Sequence, residues 1–340
     1  MHAMKKAIVT GISGQDGAYL AELLLNKGYQ VIGCDRRNSE RSFWRLKELG
    51  ILHDIELVGF ELGEYSNIHD LIKNHKPDLF FNLAAQSFVG SSFITPINTN
   101  DVNAMGPLRI CEAIRQLSPS TRLYQASTSE MFGKVQEIPQ TETTPFYPRS
   151  PYGVSKLHAH WMMVNYRESY ELFFVSGILF NHESPLRGEE FVTRKITKAV
   201  AEWTVDKTKK LELGNLDAER DWGYAKDYVE AMYLMLEAPE PEDYVIATGE
   251  KTSVRRFCEL AVESIGERIK WEGTGINEVG IIESTGEEFI LINEDYFRPA
   301  EVDLLIGDPT KASKKLGWKP KTSVKELVSI MVENDIRRIK

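Results

Sequence analysis

Three glycines near the start of the chain, Gly11, Gly14 and Gly17, stand between a short apolar run and a helical pattern. In the spacing GxxGxxG, glycine permits a tight turn and lets the backbone approach a ligand closely. A helix that begins at such a turn presents unpaired N–H groups and the positive end of its dipole, which favour a bound pyrophosphate. The pattern therefore predicts a βα unit that binds a dinucleotide. Its candidate cofactor-binding residues are Gly11, Ile12, Ser13, Gly14, Gln15, Asp16 and Gly17.

The first half of the chain repeats a βα unit. Short β-rich apolar runs alternate with amphipathic stretches such as 18–27 and 106–116, as expected around a buried parallel sheet. We therefore predict an α/β fold with a Rossmann-type doubly wound parallel sheet. The predicted strands are residues 6–10, 30–34, 55–58, 78–84, 122–126 and 173–180.

The pattern changes after residue 180. A polar loop signal at 181–185 is followed by helix and short-strand signals that lack the βα rhythm. We predict a dinucleotide-binding domain at residues 1–180 and a second, smaller, mixed α/β substrate domain at 181–340. Segments near 222–248 are expected to fold back onto the first domain.

Composition excludes several classes of protein. With 42% hydrophobic and 27% charged residues among 340, the chain has an ordinary globular composition. A net charge of −9 gives no general attraction to nucleic acid or to an anionic membrane, so neither is an expected partner. The three cysteines are far apart and lack Cys-x-x-Cys spacing, so we expect neither disulfides nor a bound metal. Without an apolar run of about 18 residues or a signal-peptide pattern, the predicted location is cytoplasmic.

The end of the second predicted strand bears on the choice of cofactor. An acidic residue there usually binds the ribose hydroxyls of NAD, whereas an arginine accommodates the extra phosphate of NADP. This chain has both kinds of residue, because Asp35 is followed by Arg36 and Arg37. Adjacent guanidinium groups suit a phosphate dianion, so NADP is favoured and NAD is the alternative.

Tyr152 and Lys156 are four residues apart, and residues 157–166 read as a helix. If that helix already includes Tyr152, both side chains lie on one of its faces. An ammonium group near a phenol, helped by an oxidised nicotinamide, stabilises the phenolate and lowers the pKa of the phenol towards neutrality. Tyr152 would then be a general base for a substrate hydroxyl.

The predicted strand at 122–126 continues into polar residues at 127–130. If the chain stays extended, Thr128 and Glu130 project to the same side, at the carboxyl edge of the sheet. That edge is the binding crevice of doubly wound folds, so a hydroxyl and a carboxylate are expected to converge with Tyr152.

Four segments together carry a family resemblance. They are Gly-Ile-Ser-Gly-Gln-Asp-Gly at 11–17, Asn-Leu-Ala-Ala-Gln-Ser at 82–87, Ser-Thr-Ser-Glu at 127–130 and Tyr-Gly-Val-Ser-Lys at 152–156. The set resembles the extended short-chain dehydrogenases. More narrowly, the chain resembles the GDP-mannose 4,6-dehydratases in order and spacing over residues 5 to about 320. The segments that carry this narrower resemblance are 146–152, 181–185, 188–195, 220–223 and 296–301.

The resemblance implies an activity and a set of site residues. Thr128, Glu130, Tyr152 and Lys156 would be catalytic, and GDP-mannose would become GDP-4-keto-6-deoxymannose. The reaction implied is transient oxidation at C4, removal of the C5 proton by Glu130, loss of water from C6 and return of hydride to C6. NADP would stay bound throughout. Beyond the glycine loop, the implied cofactor contacts are Asp35, Arg36, Glu61, Leu62, Leu83, Ala84, Ala85, Gln86, Ser87, Lys156, His182 and Arg187. The implied substrate contacts are Ser87, Thr128, Ser129, Asn181, Val192, Lys195, Arg220, Arg298 and Glu301.

The resemblance also implies a homodimer or homotetramer, with residues 37–44 as a candidate loop that reaches a neighbouring subunit's cofactor site. The sequence departs from the family pattern at Leu186, where arginine is usual before Arg187, and at Glu61, where aspartate is usual. Asp35 is also unusual for the family.

Two other functions are compatible with parts of the pattern. A nucleotide-sugar 4-epimerase or 4-keto reductase would share Thr128, Tyr152 and Lys156, but neither needs the carboxylate of Glu130 as a base at C5. A non-catalytic NADP-sensing regulator on the same fold would have no use for the Tyr152 and Lys156 pair.

Overall fold

The structure is a computed structural model that describes residues 4–36, 43–297 and 304–339. The strands, in chain order, are β1 (Lys6–Thr10), β2 (Gln30–Asp35), β3 (Glu56–Gly59), β4 (Leu79–Asn82), β5 (Arg122–Thr128), β6 (Phe174–Leu179), β7 (Asn181–Glu183), β8 (Leu211–Leu213), β9 (Glu219–Arg220), β10 (Trp222–Tyr224), β11 (Tyr244–Ile246), β12 (Thr252–Ser253), β13 (Ile269–Glu272), β14 (Val279–Ile282), β15 (Glu287–Ile292) and β16 (Leu304–Leu305).

The α-helices are α1 (Gln15–Asn26), α2 (Trp44–Glu48), α3 (Tyr65–His75), α4 (Val89–Ile94), α5 (Pro96–Asn100), α6 (Gly106–Leu117), α7 (Pro151–Tyr170), α8 (Val192–Val205), α9 (Ala225–Glu237), α10 (Val254–Glu263), α11 (Thr310–Leu316) and α12 (Val324–Ile339). A π-helical turn, Asp101–Met105, joins α5 to α6, and a 3-10 turn, Ser129–Met131, follows β5.

A seven-stranded sheet lies at the centre, in the order β11-β6-β5-β4-β1-β2-β3. Every neighbouring pair in it is parallel. The chain builds outward from β1 in one direction through β2 and β3, and then in the other direction from β4. The carboxyl ends of β1 and β4 therefore flank the point where the strand order reverses, which is the binding crevice of such sheets. The prediction of a Rossmann-type doubly wound sheet is confirmed.

Helices cover both faces of this sheet. On one face, α1 and α9 pack together, with Leu20 of α1 and Met232 of α9 in the same buried cluster. On the other face, α3, α6 and α7 contribute Ile72, Ile110 and Met163 to a second cluster. Both faces of the strands are thus apolar and buried, which explains why the strands read as continuous apolar runs.

The six predicted strands begin and end within two residues of the predicted bounds, and two of the differences bear on the site. β5 continues two residues further than predicted, to Thr128. β4 ends at Asn82 rather than at residue 84. The chain leaves the sheet there because the backbone N–H groups of Leu83 and Ala84 both donate to the Thr10 hydroxyl, each at 3.1 Å.

The second half of the chain is mixed α/β, as predicted. Its largest sheet, in the order β13-β14-β15-β8, is antiparallel except for the parallel pair β15 and β8. Helices α8, α10 and α12 pack against it through residues such as Val200, Phe257 and Met331. Residues 225–246, however, lie with the first half: α9 packs on α1, and β11 is the edge strand beside β6. The division at residue 180 stays a prediction.

Among the described residues, no helix combines the length and the apolar character needed to cross a membrane. The three cysteines, Cys34, Cys111 and Cys258, are free and buried. Within the described ranges, no cluster of three or more His, Cys, Asp or Glu side chains is arranged to hold a metal ion.

Candidate active site

The glycine loop between β1 and α1 is closed tightly on itself. Gly11 adopts a φ of +69°, and a Cβ on Gly17 would lie 2.3 Å from the Gly11 carbonyl oxygen. Both positions therefore require glycine. Gly14 is the N-cap of α1 and has no side chain to cap the first N–H groups of the helix. The turn has the form of a cradle for a phosphate group at a helix N-terminus.

The segment after β4 is held beside this loop by buried polar groups. Thr10 fixes Leu83 and Ala84, as described above. Asn103, in the π-helical turn, donates to the Gln86 carbonyl at 2.9 Å and accepts from the Gln86 N–H at 2.8 Å. Ala85 lies between these two anchors, and Ser87 follows as an exposed residue. The predicted cofactor contacts at 83–87 are thus brought next to the glycine loop.

A row of buried hydrogen bonds crosses the carboxyl edge of the sheet. The Thr10 hydroxyl donates to Asn82 Oδ1 at 2.8 Å, and Asn82 Nδ2 donates to Gln125 Oε1 at 2.7 Å. Gln125 Nε2 donates to the Ala126 carbonyl at 3.0 Å, and the same carbonyl accepts from Lys156 Nζ at 2.9 Å. The row ties the position of the Lys156 ammonium to three neighbouring strands.

Helix α7 begins at Pro151, so it includes Tyr152 in its first turn. The Ser150 hydroxyl caps this helix by accepting from the Gly153 N–H at 3.0 Å. Tyr152 and Lys156 therefore lie on one helix face, with the ammonium 5.9 Å from the centroid of the phenol ring. Both side chains are buried.

Burial dominates the ionisation of this pair. It raises the pKa of Tyr152 to about 12, although the hydrogen bond from Thr128 acts in the opposite direction. Burial also lowers the pKa of Lys156 to about 8. The residues of this chain alone thus do not lower the pKa of the phenol towards 7. The cost of burying a phenolate is larger than the stabilisation that Thr128 and Arg187 provide. The sequence-based prediction of a lowered pKa for Tyr152 named a second source of positive charge, an oxidised nicotinamide.

Glu130 reaches the site through a turn rather than through an extended strand. β5 ends at Thr128, and Glu130 lies in the 3-10 turn that follows. The expectation that alternation along an extended chain would align the two side chains is therefore wrong. The Thr128 hydroxyl instead accepts from the Glu130 N–H at 3.2 Å and caps the turn. Ser129, the first residue of the turn, is buried, whereas Glu130 is half-buried.

The start of α7 packs directly on this turn. A Cβ on Gly153 would lie 2.8 Å from the Glu130 carbonyl oxygen, so only glycine allows this approach. The backbone of Glu130 is thereby held against the turn of helix that carries Tyr152. Sequence patterns had placed these two residues near each other, and the close contact at Gly153 is the physical reason.

The strand β7 and the segment after it form the opposite wall of the crevice. His182 Nε2 lies 2.8 Å from Asp16 Oδ2 in α1, and the His182 ring stacks on Tyr228 with centroids 4.6 Å apart. Gln15 donates to the His182 carbonyl at 2.8 Å and accepts from Ser184 at 2.7 Å. Burial opposes the charge on His182, but Asp16 outweighs it, so the pKa of His182 is raised and that of Asp16 is lowered.

Arg187 faces the same crevice. Its Nε lies 3.0 Å from the buried carboxylate of Glu183, and its guanidinium stacks 3.5 Å from the centroid of Phe191. Arg187 is also close enough to Tyr152 to act on the pKa of the phenol. These contacts bring the predicted cofactor contacts His182 and Arg187 to the side of the site that carries Tyr152.

The remaining predicted cofactor contacts lie at the far end of the sheet. Asp35 ends β2, and one of its carboxylate oxygens accepts from the Arg36 N–H at 2.9 Å. Glu61 and Leu62 follow β3, where the Glu61 N–H donates to Asn67 and Leu62 is buried against Gly106. Arg37 lies outside the described residues, as does most of the candidate subunit-crossing loop at 37–44.

The predicted substrate contacts of the second half are spread over three elements. Asn181 begins β7, and Val192 and Lys195 lie in the first turns of α8. The Lys195 ammonium lies 3.7 Å from the centroid of the Tyr296 ring. Arg220 ends β9 and is buried, and its guanidinium donates to the Glu219 carbonyl at 2.8 Å. Two further predicted contacts, Arg298 and Glu301, lie outside the described residues.

Several residues that hold the backbone around the site in place were missed at the level of the sequence. Thr10, Asn82 and Gln125 carry a weak signal, since each is a polar residue within or at the end of a strongly apolar strand. Asn103 and Arg45 carry none. Arg45 bridges two carbonyl groups, that of Ser13 in the glycine loop and that of Leu186 beyond β7, at 2.8 Å and 2.6 Å.

Solved structures of other proteins share the fold. The UDP-glucose 4-epimerase of Thermotoga maritima superposes with a TM-score of 0.84 at 24% identity, covering 98% of this chain and 100% of that one. The dTDP-glucose 4,6-dehydratase of Bacillus anthracis, in complex with NAD, gives a TM-score of 0.79 at 21% identity, covering 98% of this chain and 96% of that one. Since an epimerase and a dehydratase match almost equally, the fold does not choose between these chemistries.

Relatives in sequence are much closer. The GDP-mannose 4,6 dehydratase of Homo sapiens is 52% identical over 338 residues, which cover 97% of this chain and 91% of the human protein. The GDP-mannose 4,6-dehydratase of Yersinia enterocolitica is 50% identical over 354 residues, with coverages of 99% and 95%. A family model described as GDP-mannose 4,6 dehydratase matches residues 8–331. With a match over nearly its whole length and relatives at this level of identity, the chain belongs to the GDP-mannose 4,6-dehydratase family.

Proposed function

We propose that this protein converts GDP-mannose to GDP-4-keto-6-deoxymannose and that NADP is its resident cofactor. The observation that carries the proposal is the position of Glu130, whose backbone packs on Gly153 next to Tyr152. A carboxylate at this point of an extended dehydrogenase site is what an elimination across C5 and C6 needs, and what an epimerase or keto reductase does not.

The glycine loop and the segments around it fit a dinucleotide. The Gly11–Gly17 turn offers a cradle at the start of α1, and two buried polar atoms near it, Asp16 Oδ1 and Gln86 Oε1, have no hydrogen-bond partner among the described residues. Residues 11–17 would hold the pyrophosphate, while His182 and Arg187 would contact the half of the cofactor near Tyr152. When bound, the nicotinamide supplies a site that reversibly accepts a hydride.

Tyr152 is the proposed base for the C4 hydroxyl of the hexose. Its phenol oxygen accepts the hydroxyl proton, and the hydroxyl of Thr128, hydrogen-bonded to the phenol, orients both groups. The Lys156 ammonium, anchored to the Ala126 carbonyl, provides positive charge beside the ring when it is protonated. Burial keeps bulk water from competing for these protons.

Glu130 is the proposed base and acid for the elimination. A ketone at C4 acidifies the C5 hydrogen, so the Glu130 carboxylate can remove it as a proton. The same carboxyl group then gives a proton to the C6 oxygen, which leaves as water. The proton that Tyr152 received from the C4 hydroxyl balances the one that returns to C5, so no net proton is taken from solvent.

Incubation with GDP-mannose in the absence of added NADPH tests this function. We expect mass analysis to reveal loss of one water from the nucleotide sugar with the wild-type protein and no loss with Glu130→Gln, which removes the base but keeps the side-chain shape. A variant that keeps full activity without the carboxylate would overturn the role of Glu130. No loss of water by the wild type, with NADP bound, would favour a 4-epimerase on another nucleotide sugar.

The preference for NADP rests on Arg36 at the end of β2. Asp35 already accepts from the Arg36 backbone N–H, so its carboxylate is partly engaged within the loop. We expect Arg36→Ala to weaken NADPH binding by about tenfold or more and to leave NADH binding nearly unchanged. Equal affinity of the wild type for both cofactors would overturn the NADP assignment.

We also propose that the protein is a homo-oligomer. Large apolar side chains are exposed on α4, α5 and one face of α7: Ile94 is 82%, Ile97 86% and Trp161 52% exposed. Helices α4 and α5 contact each other and α7, and monomeric proteins rarely expose large apolar patches. A second copy of this chain, related by a two-fold axis, would bury these side chains. Light scattering should give a dimer or tetramer, and Ile97→Glu should shift it towards monomer; a monomeric wild type would overturn the proposal.

A further inference from the structure

Three successive carbonyl groups after β7, those of Pro185, Leu186 and Arg187, are each held by an arginine side chain. Arg194 donates to the Pro185 carbonyl at 2.7 Å and to the Arg187 carbonyl at 3.4 Å. Arg338 donates a second bond to the Pro185 carbonyl at 2.7 Å. Arg45 of α2 donates to the carbonyl between them, that of Leu186. None of these three arginines belongs to the proposed catalytic set.

Arg45 makes the contact that links two walls of the crevice. Its Nε donates to the Leu186 carbonyl at 2.6 Å, and its Nη1 donates to the Ser13 carbonyl in the glycine loop at 2.8 Å. The guanidinium also stacks on the Trp44 ring, 4.5 Å from the centroid. A planar guanidinium with several fixed donors can hold two carbonyls at a set distance, whereas a lysine ammonium on its flexible stem cannot.

The other two arginines are fixed by carboxylates of the last helix and of α2. Asp335 in α12 is buried and pairs with Arg194 at 2.6 Å and with Arg338 at 3.3 Å. Glu48 in α2 accepts two bonds from Arg338, at 2.6 Å and 2.7 Å. The carbonyls are therefore held by donors that are themselves held in place, so the segment has little freedom to move away from the glycine loop.

The hydrogen bonds from these arginines to backbone carbonyls fix the position of the segment beyond β7. Carbonyl oxygens that face a charged, positioned donor make stronger hydrogen bonds than carbonyls that face water. Leu186 and Ser13 are 173 residues apart in sequence, yet Arg45 joins their carbonyl groups. A bound dinucleotide would lie between the glycine loop and the segment that carries His182 and Arg187. To release it, these two walls must separate.

We propose that Arg45 is a positioning residue that holds the cofactor crevice closed, with Arg194 and Arg338 as its supports, so that the dinucleotide stays bound through turnover. The proposal rests on the proposed function, because it takes the crevice to be a dinucleotide site. Arg45 does not touch the reacting atoms in this scheme. It sets the distance between the two backbone segments that enclose the cofactor.

The rate of NADPH dissociation tests the proposal. Stopped-flow fluorescence of protein preloaded with NADPH, chased with excess NADP, should give a rate about tenfold or more higher for Arg45→Met than for the wild type, because two charge-assisted hydrogen bonds are lost. Arg45→Lys should fall between the two, since it restores one donor. Lys47→Met, an exposed change in the same helix, is the matched control and should leave the rate unchanged.

Parallel measurements separate this role from others. If Arg45 contacted the ribose phosphate directly, Arg45→Met would accelerate the release of NADPH but not that of NADH. That result would overturn the proposal. A positioning role accelerates both by a similar factor, while kcat at saturating cofactor stays within about twofold of wild type, a split expected when only binding is affected. Unchanged dissociation in Arg45→Met would also overturn it.

A support variant covers the case in which Arg45→Met does not fold. Arg338→Met removes one of the two donors to Pro185 and should give a smaller increase in the dissociation rate. If it gives none, the arginines do not act as a unit. Failure of the wild-type protein to bind NADPH at all would instead overturn the proposed function, so the two failures are distinguishable.

Discussion

Lys156 has a buried ammonium that donates to a backbone carbonyl, that of Ala126, at 2.9 Å. Burial disfavours the charged form, which is why the pKa of this lysine is lowered to about 8. The site thus carries the Lys156 charge at a cost to stability. Such costs are common where function, rather than stability, fixes a side chain.

This cost predicts a pH dependence. Between about pH 8 and pH 10.4 the unfolded chain keeps the lysine proton that the folded chain has lost, so stability rises with pH in this window. Chemical denaturation should therefore reveal a difference in unfolding free energy, wild type minus Lys156→Met, that increases by roughly 2 kcal/mol from pH 7.5 to 10. The exposed Lys73→Met should give a flat difference. A flat difference for Lys156→Met would contradict the buried charge.

At the scale of elements, the site depends on how α7 meets the turn after β5. The Ser150 cap and Pro151 start the helix just before Tyr152, and Gly153 allows the backbone of Glu130 to lie against it. These local features bring the phenol of Tyr152 within electrostatic range of Glu130, which lies on a different element. The contact at Gly153 is the part that no side chain other than hydrogen permits.

Adding one methyl group at this contact is therefore predicted to disturb catalysis more than folding. Gly153→Ala should push the Glu130 turn away by a few tenths of an ångström, because its Cβ would otherwise lie 2.8 Å from the Glu130 carbonyl oxygen. We expect kcat on GDP-mannose to fall by about ten- to a hundredfold and stability by about 1–3 kcal/mol. Asn165→Ala, on the exposed side of α7, should change neither. Wild-type kcat in Gly153→Ala would indicate that the position of Glu130 is not critical.

The predictability of these elements follows from where their signals lie. The strands, the glycine loop and the Tyr152–Lys156 spacing each depend on residues that are a few positions apart in sequence. Periodicity and turn chemistry therefore identify them. The Glu130 turn was missed as a turn because Thr128 caps it through a hydrogen bond that an extended pattern does not reveal. Asn103 and Arg45 act on segments that only the fold brings near, and nothing in their own neighbourhood marks them.

At the scale of the whole molecule, the last helix, α12, connects the second half of the chain to the segment beyond β7. It packs on α8 and α10 through an apolar face, and its last turns carry Asp335 and Arg338 back to the segment beyond β7. The far end of the second half is thereby joined to the crevice of the first. The Arg194–Asp335 pair at this junction is almost fully buried, with side-chain exposures of 5% and 2%.

Breaking this pair is predicted to be costly. Asp335→Ala leaves the Arg194 guanidinium buried without its carboxylate, and removal of one partner of a buried pair typically costs about 3–5 kcal/mol. Urea unfolding should detect this loss, whereas Arg337→Ala, an exposed change in the same turn, should stay within about 0.5 kcal/mol of wild type. A loss below about 1 kcal/mol for Asp335→Ala would mean that water reaches the pair.

In the row of hydrogen bonds from Thr10 to Lys156, each group has a fixed role as donor or acceptor. The Thr10 oxygen accepts from the N–H groups of Leu83 and Ala84, and its hydroxyl donates to Asn82 Oδ1 at 2.8 Å, a closer acceptor than the Phe81 carbonyl at 3.4 Å. With that direction set, each amide beyond it has one permitted orientation. Replacing one member alone leaves a buried donor or acceptor unpaired, at a cost of about 1–3 kcal/mol. Positions 10, 82 and 125 are therefore constrained to mutate together, and we expect descendants of this sequence to carry either the whole set or a coordinated substitute for it.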